Sequence, residues 1–270
     1  MRTRRVIPLL LGLALLCLFL AMAAAPGLFC EYGQKEMFPK WLPCSGAHLL
    51  GTNALGYDVF TELVYGARET LVIGIVSSVI SLALGTLIGT AAAAEGFPGN
   101  LADGLINVFI LIPRLITLIV LAGFLGSSTL NLILLISAFS WGELARNVRA
   151  KVLHLRAQTF LESCRIQGFS RLHIALRHVI PNLSDVLLSR FLLGVNTCIL
   201  LESTLSFLGF GDLYHPTWGT MINFAYRRGA FLRGAYAYLL APGVCIMLLS
   251  LSFYFISLWI EGRKETIREE

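Results

Sequence analysis

The chain has 270 residues, of which 56% are hydrophobic and only 14% charged, with a formal net charge of +5. Soluble domains carry about 25% charged residues and disordered chains lack apolar content, so both classes are excluded, and a soluble catalytic head has no room beside the apolar runs. What remains is an all-α polytopic membrane protein, in which each span takes about 20 residues; its positive charge bears on membrane topology, and nucleic acid is not an expected partner.

The first apolar run covers residues 6–25, behind Arg2, Arg4 and Arg5. It reads either as a cleavable signal peptide ending at Ala21-Met22-Ala23 or as an uncleaved first span, and in both cases the N-terminus starts inside. Residues 26–68 are polar and turn-rich, and 71–94 form a second span. Glu95-Gly96-Phe97-Pro98-Gly99-Asn100 is a turn by composition. A third span over 101–125 is interrupted by Asp103 and Arg114, and a fourth runs over 129–144. A basic amphipathic stretch covers 146–182, a fifth span 183–207, a Gly/Pro/Trp-rich connection 208–235, and a sixth span 236–260 before the charged tail 261–270. The organisation is therefore a first span with an extracytoplasmic segment (1–68), a transmembrane domain (69–260) and a cytoplasmic tail (261–270). With the N-terminus inside, the inside segments hold 13 Lys and Arg and the outside segments 6. That asymmetry predicts six spans with both termini cytoplasmic.

Charges inside a span are costly and mark functional candidates. Asp103, Asn107 and Arg114 fall on one face of a regular helix. That face lines a translocation path, packs against another subunit, or belongs to a span shifted enough for Arg114 to snorkel. Pro113 should bend the helix. Asn196 and Glu202 on the fifth span are further path candidates, although Glu202 falls near the outer surface, where a structural hydrogen-bonding role serves equally well.

The 37 residues of 146–182 are long for a loop and so expected to be functional. Thr159-Phe160-Leu161-Glu162 has the capping-box pattern, predicting a short helix that stops at Gly168. Ser170 can cap a second helix that ends at Pro181, leaving Phe169 protruding between them. This basic loop either rests on anionic headgroups or docks a soluble partner in helix-in-groove fashion.

No Gly-Lys dipeptide occurs, so there is no P-loop. Neither HExxH nor G-x-S-x-G is present, so no catalytic residue and no metal site is assigned. Cys30 and Cys44 share an outside segment, where a disulfide and two free thiols are both open.

Glu162-Ser163-Cys164-Arg165-Ile166-Gln167-Gly168, followed by Ile180-Pro181, resembles the "EAA" loop of ABC-importer permeases, with Ser163 and Cys164 in place of two alanines. Leu50-Gly51-Thr52, Leu55-Gly56-Tyr57-Asp58-Val59-Phe60 and Tyr65-Gly66-Ala67-Arg68 resemble the "LGTDxLGRDVFSRLLYGAR" stretch of dipeptide, oligopeptide and nickel importer permeases. Glu202-Ser203-Thr204-Leu205-Ser206-Phe207-Leu208-Gly209-Phe210-Gly211 with Pro216-Thr217-Trp218-Gly219 resembles their "EASLSFLGLG…PSWG". The likeness is closest to the second, "C"-type permease of such systems. Tyr57 departs from the family's Arg, Asn107 from a common Asp, and a Gly-Asp-x-Leu-Arg-Asp ending is missing.

The resemblance implies a type I ABC-importer permease fold with a cytoplasmic coupling-helix loop that carries Glu162, Ser163, Cys164, Gly168, Phe169, Ile180 and Pro181. It implies a multi-pass protein of the bacterial inner membrane, paired with a second homologous permease, two ABC ATPase subunits and an extracytoplasmic substrate-binding protein. ATP and Mg would sit on the ATPases and no cofactor on this chain, which would not itself be an enzyme. The cargo would be peptides, nickel or a metal chelate. The competing classes are an ion-coupled secondary transporter, which would show inverted repeats, and an intramembrane enzyme, which would need catalytic residues converging inside spans.

Overall fold

The computed structural model describes residues 2–156, 158, 168, 169, 173, 177 and 181–269, and every regular element among them is helical. The helices are α1 (Arg2–Ala24), α2 (Val59–Ala92), α3 (Phe97–Leu111), α4 (Arg114–Leu125), α5 (Thr129–Ser140), α6 (Gly142–Arg156), α7 (Ser184–Leu205), α8 (Trp218–Arg227) and α9 (Tyr236–Glu269). Among the described residues, four segments are long and apolar enough to cross a membrane: Ile7–Ala24, Val59–Ala92, Val186–Phe210 and Tyr236–Ile260. Helices α3 and α4 qualify together, as one pair bent by 84°. The expected fourth span, 129–144, is instead α5 leading through Trp141 into α6. At 1.5 Å per residue α5 alone is too short for a hydrocarbon core of about 30 Å.

Helix α2 is the centre of the bundle and packs against α1, α3, α5, α6 and α7. It starts twelve residues before the expected second span. Asp58 accepts hydrogen bonds from the Thr61 N–H (2.8 Å) and hydroxyl (2.9 Å), which satisfies an orphan donor of the first turn. The expected boundary at 68/69 therefore falls inside α2, because Glu62, Arg68 and Glu69 are carried on a helix already begun. The boundary at 260/261 likewise falls inside α9.

Small residues on α2 let the neighbours close in, the usual device for helices packing in lipid. A Cβ on Gly74 would lie 2.4 Å from Ile199 of α7, and one on Gly89 would lie 2.5 Å from the Ala145 carbonyl of α6. Between these glycines, Ser78 donates to the Phe191 carbonyl (3.2 Å) and Ser81 to the Ser137 carbonyl (3.2 Å).

Helix α6 clamps the other end of α2 with arginines on one face. Arg149 Nε donates to the Ala92 carbonyl at 3.2 Å and meets Asp103 Oδ1 of α3 at 3.0 Å. Arg156 donates to the Ala93 carbonyl. The last carbonyls of a helix lack intrahelical partners and carry partial negative charge, so cations there are favourable. The first eleven residues of the expected loop 146–182 are thus helix, not connection.

Many large apolar side chains face outward, among them Leu10, Leu87, Leu111, Ile116, Phe124 and Met247. A monomer in water does not expose such area; hydrocarbon or a partner helix is its natural cover.

Candidate translocation site and its surroundings

Ile112 and Pro113 interrupt the expected third span. Pro113 has no N–H to donate, and Ile112 is extended (φ −69°, ψ 124°), as the residue before a proline prefers. Helix α3 ends at Leu111 and α4 begins at Arg114, so Asp103 and Asn107 share no face with Arg114. Asp103 pairs with Arg149, and Asn107 Oδ1 accepts from Arg146 Nη2 at 3.0 Å. Both belong to the α3–α6 contact, and the expectation of a single face is corrected by the break.

Arg114 lines a cavity of about 80 Å³ between α2, α4, α6 and α7. Glu143 and Arg190 share its wall with the hydroxyls of Ser78, Ser81, Ser140 and Thr197. Among the described residues none of these three charged groups is in an ion pair, and Ser140 Oγ is buried without a hydrogen-bond partner. A buried polar atom without a partner is costly, so this wall is built to meet a polar guest or water. Two guanidinium groups, one carboxylate and several hydroxyls can hold a polar or zwitterionic solute in passing.

Asn196 and Glu202 do not line this cavity. Asn196 is half-buried and its Oδ1 has no hydrogen-bond partner among the described residues. Glu202 is 0% exposed and is held by three hydroxyls: Ser206 and Thr217 donate to Oε1, each at 2.7 Å, and Ser203 to Oε2 at 3.2 Å. The carboxyl is thus enclosed in a hydrogen-bonded network within the protein.

Glu202 anchors the 206–235 end of the bundle. After α7 the chain makes a π turn, Ser206–Phe210, in which Gly209 takes φ +102°, a left-handed conformation that suits glycine. Gly211 lies against Thr220, and a Cβ on Gly219 would sit 2.7 Å from the Ser203 carbonyl. Thr217 and Thr220 form a capping box at the start of α8. Trp218 is fully buried. Its Nε1 donates to the Leu63 carbonyl of α2 at 2.8 Å, and Phe19 of α1 meets its ring edge-on at 5.3 Å. The Glu202–Gly211 and Pro216–Gly219 signatures are thus two halves of one joint between α1, α2, α7 and α8.

Beside this joint, Asp212 accepts hydrogen bonds from the Thr129 N–H and hydroxyl at the start of α5 (3.2 Å each) and from the Tyr214 N–H (2.8 Å). Burial works against its charge, but these donors and nearby His215 outweigh it and hold the carboxyl below the usual aspartate range. Its stabilisation is therefore full above about pH 4 and is lost as pH falls through the lowered folded value. Comparing melting curves of the parent and Asp212→Asn should show a gap at pH 7 that closes in acid; a gap constant with pH would count against the assignment.

Of the expected coupling residues, Glu162, Ser163, Cys164 and Ile180 lie outside the described residues, as does the Thr159–Glu162 capping box. Gly168 has φ +80°. Phe169 is 43% exposed and stacks on His173 with centroids 4.8 Å apart. Pro181 is exposed and opens the 3-10 turn Pro181–Leu183 that leads into α7. Cys30 and Cys44 are free thiols; Cys30 Sγ donates to the Pro26 carbonyl at 3.0 Å, and burial, then Asp58, push its pKa up. The sequence analysis gives Glu143 and Arg190 no role. Their signal is a charge set within an apolar stretch, Glu143 in the first turn of α6 and Arg190 in the second turn of α7.

Residues 81–266 match the family described as the inner membrane component of binding-protein-dependent transport systems. A protein of Brucella suis biovar 1 named "Putative peptide permease protein" is 35% identical over 235 residues, covering 81% of this chain and 78% of its own. The dipeptide transport system permease protein of Alkalihalophilus pseudofirmus is 31% identical over 254 residues, covering 92% of this chain and 82% of its own. A glutathione transport system permease protein of Escherichia coli O1:K1 is 36% identical over 178 residues, which is 65% of this chain and 59% of its own. With its bundle of apolar helices, the chain belongs to the family of inner-membrane permease components of binding-protein-dependent transport systems, a multi-pass membrane subunit of an importer.

Proposed function

We propose that this chain is one of two homologous permeases which together enclose a path for short peptides, seated on two ABC ATPase subunits and loaded by an extracytoplasmic binding protein. ATP and Mg belong to the ATPases, and this chain contributes no catalytic group. The observation that carries the reading is the polar cavity of Arg114, Glu143 and Arg190, whose charges lie among apolar helices. Such charges are retained where they serve passage or assembly. Peptide cargo rests on the names of the relatives, none of which mentions nickel. Residues 157–180, which contain Glu162, Ser163, Cys164, Gly168, Phe169 and Ile180, are the segment that meets an ATPase, with Pro181 handing its motion to α7. Asn196, whose Oδ1 is buried and without a hydrogen-bond partner among the described residues, stays a candidate for the path outside this cavity.

Both termini face the cytoplasm in this reading, which takes α3 with α4 as one crossing and α5 with α6 as another to make six, and rests on the 13 to 6 distribution of Lys and Arg counted on six spans. Reporter fusions after Leu155 and Glu265 should then read cytoplasmic and one after Ser45 extracytoplasmic; an outside signal at Leu155 would remove the ATPase-docking role. The function itself is tested in vesicles that hold the assembled transporter. ATP-dependent uptake of a labelled dipeptide should require the binding protein, and uptake without ATP would contradict the reading.

A further inference from the structure

The second cavity lies at the opposite end of the molecule from the α6 arginine clamp, between the segment preceding α2 and the loops around α8. Its volume is about 240 Å³, just below the 300–1,000 Å³ of most ligand sites. That suits a ligand the size of an amino acid or dipeptide. Glu62 lines the cavity from the first turn of α2. Its carboxylate accepts one hydrogen bond, from Asn53 Nδ2 at 2.8 Å. Lys35, in the segment before α2, and Arg228, at the end of α8, also line the cavity. Among the described residues neither cation forms an ion pair, and neither does Glu62.

The Glu62 support is rigid. Asn53 is buried, and its Oδ1 accepts from the Leu55 and Tyr57 N–H groups at 2.7 and 3.0 Å, which fixes the amide that steers the carboxylate. Arg228 is stacked over Phe224, its guanidinium carbon 5.6 Å from the ring centroid. Tyr57 and Tyr238 complete an aromatic lining. Opposite charges that line one cavity without forming an ion pair leave two complementary half-sites beside an aromatic surface.

We propose that this cavity binds an α-amino-acid zwitterion, as a free amino acid or a dipeptide, with its ammonium on Glu62 and its carboxylate on Arg228 and Lys35. A carboxylate and a guanidinium are strong partners for these two charges. The aromatic walls take the apolar part of the ligand and offer their faces to its ammonium. The site is separate from the Arg114 cavity, and its occupancy does not depend on peptide being the transported cargo.

The test is equilibrium binding of labelled Ala-Phe to the assembled transporter in nanodiscs, without the binding protein and without ATP. Saturable binding is expected. Acetylating the peptide's N-terminus or amidating its C-terminus should each weaken it at least tenfold, and neither control alters the protein. Glu62→Gln, which keeps an acceptor for Asn53, should lose affinity for Ala-Phe but not for the N-acetyl form, and Arg228→Gln should do the reverse with the amide. No saturable binding at millimolar peptide, or equal binding of the capped and free peptides, would overturn the proposal. Loading of the cavity only when the binding protein is present, with no response to free peptide, would assign it to a side chain of that partner and overturn it as well. Failure of ATP-driven uptake with peptide binding intact would count against the transport reading alone.

Discussion

Glu202→Ala is expected to destabilise the assembled permease by about 3 kcal/mol or more, from the buried hydroxyls it leaves unsatisfied. The parent carboxylate is fully enclosed and accepts from Ser203, Ser206 and Thr217. Removing it leaves three hydroxyls without an acceptor in a space closed to water, at about 1–3 kcal/mol for each group left unsatisfied. Glu202→Gln retains an oxygen of nearly the same shape, so it should keep much of the joint and lose less. Thermal unfolding in detergent micelles orders the three proteins. An Ala variant that melts with the parent would show that the joint is held by Trp218 and the glycine contacts without the acid.

Arg114→Leu is expected to insert and assemble normally and to lose transport, by about tenfold or more if one charge-assisted contact to the passing solute disappears. Arg114 stands in the first turn of α4, immediately after the Pro113 break, in the wall it shares with Glu143 and Arg190. Leu removes the charge without leaving a buried donor unpaired, so stability should hold. Arg114→Lys keeps the charge but not the planar fork and should rescue part of the uptake. Full transport by the Leu variant would make Arg114 a bystander. Loss of the partner permease on purification would place it in the interface between subunits.

The element types were legible because apolar runs of 20 residues in a chain with few charges admit little besides spans. The limits of α2 were not. Glu62, Arg68 and Glu69 look like the end of a polar segment, yet Asp58 starts the helix before them and tertiary contacts absorb Glu62. The break in the third span was half legible. Pro113 announces a bend, but an 84° turn depends on how α4 packs on α5 and α7, which no local pattern encodes. For the same reason a helical wheel put Asp103, Asn107 and Arg114 together, when the first two are held by arginines from α6, 39 or more positions away. The Glu202 and Trp218 signatures were legible as a likeness before their purpose was. Only the fold shows that the acid, the hydroxyls and the glycines are parts of one joint.

The Trp218 indole N–H reaches back 155 residues to the Leu63 carbonyl, and the Trp218 backbone N–H reaches 148 residues to the Thr70 hydroxyl. Contacts so distant in sequence carry a large loop-closure cost before they return any stabilisation. While the ribosome is still making α3 to α7, the half of α2 that will receive Trp218 has α1 beside it but lacks the cover of α8. This end of the molecule therefore matures last, after α8 has emerged, and a chain released before Trp218 would keep an open flank of α2 facing lipid, chaperone or protease.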